Sequence, residues 1–96
     1  MLKKVGSQYV VDEENEISFE ATGPYSFLYK NKNLEATISS EPLKDDKGNY
    51  SVCLYLSDLD EWDIPENRPI NDDERDAIHG HATQALQLLG MKVEIE

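Results

Sequence analysis

The sequence predicts an α+β fold: an antiparallel β-meander sheet of about five or six strands, one C-terminal helix packed on a face, and a last strand. Three observations carry this. Between residues 8 and 57, apolar and polar side chains alternate in short runs separated by turn signals, which is the period of half-buried strands. From residue 71 the apolar spacing lengthens to that of a helix. The composition changes once, near residue 58, with no internal repeat or low-complexity tract, so residues 1–96 are read as a single domain.

Gln8–Val11 is the first expected strand, closed by the acidic turn Asp12–Asn15. In Glu16–Thr22, Ile17, Phe19 and Ala21 alternate with Ser18, Glu20 and Thr22. Gly23-Pro24 breaks the run, and Tyr25–Lys30 follows with Tyr25, Phe27 and Tyr29 on one face. Asn31-Lys32-Asn33 reads as a hairpin loop, because asparagine tolerates positive φ. Leu34–Ser40 alternates again, and Glu41-Pro42 with Lys44–Asn49 makes the next turn. Tyr50–Ser57 is the strongest strand, with Tyr50, Val52, Leu54 and Leu56 facing one way. Strands joined by short loops form antiparallel meanders, and one-sided alternation requires a cover for the apolar face.

The cover is the helix. Asn71 with Glu74 three residues on resembles a capping box, and Asp72, Asp73 and Glu74 suit the positive end of the helix dipole. Ile78, Ala82, Ala85 and Leu89 form the apolar stripe, widened by Ala77 and Leu86. Gly80 weakens the helix and suggests close packing on the sheet. Gly90 ends it, and Met91, Val93 and Ile95 alternate in the last strand.

Charge narrows the function. Nine Lys and Arg against twenty Asp and Glu give a net charge of −11. Such a surface repels phosphate and anionic lipid, so no direct nucleic acid or membrane partner is expected; a basic protein partner, or simple solubility, fits it. Cys53 is the lone cysteine and sits in an apolar run, so it reads as a small core residue. The segment Met1–Gly6 has no apolar core of signal-peptide length and no run reaches a membrane span, which gives a cytoplasmic expectation.

The acidity is concentrated. From Asp58 to Asp76 nine acids and two arginines leave a net −7 across 19 residues, nearly two thirds of the excess. The candidate partner-binding residues are therefore Asp58, Asp60, Glu61, Trp62, Asp63 and Glu66. Trp62 has two compatible readings. It is an interface anchor, as tryptophan often is, or a plug that with Ile64 and Ile70 closes one end of the sheet.

Chemistry finds little purchase here. Asp58, Asp60 and Asp63 look superficially like a calcium loop, but the mid-loop glycine is missing and proline stands at the twelfth position, so no metal and no cofactor are expected. His79 and His81 are two apart on a helix and diverge. No nucleophile elbow or phosphate loop is present, and loop carboxylates in water lack the burial that splits an acid from a base, so the chain reads as no enzyme.

The stretches Tyr25–Tyr29, Tyr50–Leu59, Trp62-Asp63-Ile64-Pro65 and Asp72–Leu89 resemble small immunity proteins of bacterial polymorphic toxin systems. The resemblance implies a cytoplasmic inhibitor that binds one cognate toxin, commonly a nuclease. A basic nuclease would be steered to so acidic a surface. A small acidic accessory or regulatory module of a larger assembly, and a DNA-mimic inhibitor, draw on the same charge and stay open on sequence, as does the oligomeric state.

Overall fold

The computed structural model describes residues 1–44, 46–48 and 50–96 of the chain. In chain order these form β1 (Lys3–Gly6), β2 (Tyr9–Asp12), β3 (Ile17–Gly23), β4 (Ser26–Asn31), β5 (Leu34–Lys44), β6 (Tyr50–Leu54), a 3-10 turn (Leu56–Asp58), α1 (Asp72–Leu88) and β7 (Lys92–Ile95). Among the described residues, seven strands make one sheet in sequence order from β1 to β7. The α+β meander with one covering helix and a final strand is what the alternation predicts. The seventh strand is β1, whose Lys3, Lys4 and Val5 are exposed and show no alternation to read.

Register puts the predicted apolar residues on one face. Val10 lies opposite Phe19, Phe19 opposite Tyr29, Phe27 opposite Ile38 and Tyr29 opposite Ala36. All these are buried, and the Phe19 and Phe27 rings stack at 4.8 Å. Tyr25, expected on this face, is 65% exposed, because the turn after Gly23 takes it out of the strand. At the β4–β5 turn the residue with positive φ is Lys32 (58°) rather than an asparagine.

Two boundaries move. Glu41-Pro42, expected to turn, lies within β5, where Pro42 sits opposite Val52. This half of β5 pairs with β6 alone, since β4 ends its pairing at Ser39, and proline is tolerated where one strand edge is open. At the other end, β6 stops at Leu54 and Leu56–Asp58 winds into the 3-10 turn. Arg75 holds that turn: its guanidinium donates to the carbonyls of Leu56 and Leu59, both at 2.6 Å. Asp45, Asn49 and the side chain of Tyr50 lie outside the described residues.

The helix is capped as its sequence predicts. The Asn71 side chain accepts from the Glu74 backbone at 2.8 Å, and the Glu74 carboxylate accepts from the Asn71 N–H at 3.1 Å. Gly90 (φ 78°) and Met91 donate to the carbonyls of Gln87 and Leu86, the paired bonds of a Schellman ending. Ile78, Ala82, Ala85 and Leu86 are fully buried. Leu89 is only half-buried, since it sits at the cap where the helix leaves the sheet. The close packing expected at Gly80 is absent: a Cβ there would meet nothing within 4 Å. β7 then pairs with β6 in parallel, a consequence of the helical crossover between them.

Candidate functional site

The residues from Asp60 to Ile70 fold back on themselves as a narrow excursion. Trp62 donates its N–H to the Arg68 carbonyl at 2.8 Å and Ile70 to that of Asp60 at 3.0 Å. One side of this excursion pairs with β5: Asp63 N–H donates to the Glu35 carbonyl (2.8 Å), and Glu35 N–H to that of Ile64 (3.0 Å). The excursion thereby covers the edge of β5 that β6 leaves bare. Trp62 turns inward and Asp63 outward, where its carboxylate accepts from the Thr37 hydroxyl at 2.8 Å.

Trp62 is 3% exposed and belongs to the core. Its ring stacks near Tyr29 (6.1 Å), and its indole N–H points to the Glu74 carboxylate at 3.4 Å. Of the two readings, the plug describes its position in the free chain, and Ile70 joins it at 8% exposure. Ile64 does not: it is 51% exposed and stands among the acids. Asp58, Asp60, Glu61 and Glu66 are exposed, and among the described residues none of their side chains has a hydrogen bond or ion pair. Both arginines of the segment are committed elsewhere, Arg75 to the 3-10 turn and Arg68 to Glu74 at 3.0 Å. Burial pushes the Glu74 carboxyl up, but the bonds from Asn71 and Trp62 and the Arg68 charge outweigh it and hold the group ionised. The result is a ridge of free carboxylates over an apolar underside.

Other titratable groups are structural. Burial pushes the Cys53 thiol up, away from the thiolate that a nucleophile needs. The Tyr29 hydroxyl accepts from the Asn31 amide (3.1 Å) and shares a hydrogen bond with His81 Nδ1 at 2.8 Å, and burial lowers the pKa of that histidine. His79 is exposed on another side of the helix, as the spacing predicts. Among the described residues no three His, Cys, Asp or Glu side chains converge on a metal position, and no helix is long and apolar enough to cross a membrane.

The sequence passes over one feature. Between the β4–β5 turn and the first turns of α1 lies a groove of about 420 Å³, lined by residues that include Leu34, Ala77 and Asp73 and reaching down to Trp62. These residues are distant in sequence, so no local pattern marks them.

The family described as Immunity protein 74 matches residues 23–96, which spans β4 through β7 and the whole acidic excursion. The chain belongs to this immunity protein family. No curated protein and no solved structure matches it. Membership supports an immunity role, in which the chain binds a toxin protein as its partner.

Proposed function

We propose that this immunity protein neutralises a basic toxin domain by direct, non-enzymatic binding, with the Asp58–Glu66 ridge as the contact surface. The observation that carries the reading is the ridge itself: four exposed carboxylates with no partner among the described residues, an exposed Ile64 among them, and both local arginines engaged in the fold. A positively charged partner gains most from such a surface during approach, because steering acts before contact is made. Ile64 supplies the apolar contact that a ring of acids alone lacks, and Trp62 supports it from beneath. A nuclease fits the role of partner, since a domain that binds polyphosphate is basic. An accessory module or a DNA mimic shares the charge, but family membership favours immunity over both.

A toxin domain encoded beside the gene for this chain provides the test. Asp60→Asn, Glu61→Gln and Glu66→Gln together spare Asp63, whose carboxylate is tied to Thr37. The triple variant should associate on the order of tenfold more slowly and with a flatter salt dependence, while dissociation changes less. Surface plasmon resonance at several salt concentrations reads both rates. Unchanged association and an unchanged salt slope would place the interface elsewhere.

A further inference from the structure

The groove beside the ridge has a composition that selects its occupant. Its walls are Leu34 from the start of β5 and Ala77 from α1, and Trp62 and Tyr29 line it at depth. Apolar walls favour an apolar stem. The rim is charged: Asp73 is exposed, has no hydrogen bond or ion pair among the described residues, and is flanked by the exposed Asp72 and Asp76. Glu74 lines the same groove but is already engaged by Arg68, Trp62 and Asn71. Lys32 lines the opposite side of the groove and opposes a cation, while Asp72 and Asp76, exposed and near Asp73 in sequence, add negative charge outside the lining.

Resting on the reading that the partner is a basic protein, we propose that this groove receives one arginine side chain of that partner, its stem against Leu34 and Ala77 and its guanidinium at Asp73. Arginine suits the site better than lysine because its long stem buries well, and its planar head binds a carboxylate in two-point fashion. The same geometry gives the ridge a second, sequence-distant contact, so that steering by the ridge and retention by the groove belong to different residues.

Trp62 is the only tryptophan in the chain, so its indole N–H gives one assignable signal from a side chain that lines the groove. The intact protein is titrated with N-acetyl-Gly-Arg-Gly-amide and followed by proton–nitrogen correlation spectra, with the norleucine and glutamate tripeptides as controls. The arginine peptide should shift the Trp62 indole and the Asp73 and Ala77 amides saturably, and neither control should. Lys32→Glu, on an exposed turn, should tighten binding about two- to fivefold, the range of one surface charge pair. Ala77→Met should fill the groove and abolish the shifts, with a melting curve confirming that it folds. Equal binding of the norleucine peptide would overturn the proposal, as would shifts confined to residues 58–66 with the Trp62 indole unmoved. In those cases slowed toxin association by the ridge variant would still stand, so the two readings fail separately.

Discussion

Trp62 illustrates how a single side chain can be conspicuous in sequence and still be ambiguous. Its type and its acidic neighbours suit an interface anchor, yet its indole is buried against Tyr29 while Ile64, two residues on, is left in water. Strand alternation cannot separate two residues that are two apart; Ile64 lies where the pairing with β5 gives way to the turn at Pro65, and that pairing joins residues 35 and 64, a contact that no local period reveals. Trp62→Ala should therefore cost about 3–5 kcal/mol, the range for a large buried aromatic, and urea denaturation read by circular dichroism checks it. A loss below about 1 kcal/mol would return the residue to the surface. Two titratable side chains, His81 beside Tyr29 and Asp12 beside the N-terminus, predict a pH dependence. Burial holds His81 below its ordinary value of 6.5, so its contribution is complete above that value and is lost as pH falls beneath it. Asp12 is lowered to about 2 by the Asn15 side chain and the N-terminal ammonium, so its contribution is present above 3.8 and lost as pH falls through about 2. Both terms have one sign, and stability should decline on acidification in two stages. His81→Gln should flatten the stage that begins near pH 6.5 and Asp12→Asn the later one, read from denaturation midpoints across the pH range.

Elements were legible where their pattern is local. The alternation of Ile17–Ala21 and Leu34–Ile38, the capping box at Asn71 and the stop at Gly90 each need only a few neighbouring residues, and each appears where predicted. The misplacements arise from contacts made across the fold. β5 runs through Pro42 because its open edge is set by where β4 ends, and β6 is cut short by Arg75 reaching back from the helix. The apolar stripe of α1 shows the same limit at finer grain. A period of 3.6 identifies the face, but the position of the sheet decides that Leu86, rather than Leu89, is fully buried. Leu86→Ala should cost about 2–5 kcal/mol, as deletions in close-packed cores do, and Leu89→Ala clearly less. Equal midpoints for the two variants in chemical denaturation would contradict the packing of the helix described above.

At the scale of the whole molecule, charge sets fold against function. A net charge of −11 on 96 residues is self-repulsive, and the ridge gathers four carboxylates that make no hydrogen bond or ion pair among the described residues. The concentration of acids was readable from sequence because it is a matter of counting. Their freedom was not, since it depends on Arg68 and Arg75 being occupied by the fold. Among the described residues no hydrogen bond or ion pair of the Asp60, Glu61 or Glu66 carboxylates holds a strand, a turn or the helix, so their charge has no local return in the folded state. Residues kept for binding at the expense of stability leave a measurable trace: neutralising them stabilises the protein. Asp60→Asn, Glu61→Gln and Glu66→Gln combined should raise unfolding stability by about 0.5–1 kcal/mol at low ionic strength. Salt shortens the reach of the repulsion, so the gain should shrink as the Debye length falls to roughly 3 Å near 1 M salt. Urea denaturation of the wild type and the triple variant at low and high salt measures both effects. A variant less stable than the wild type at low salt would mean that these acids support the excursion after all. A variant that is more stable yet slower to meet its toxin would separate the two demands on the same carboxylates.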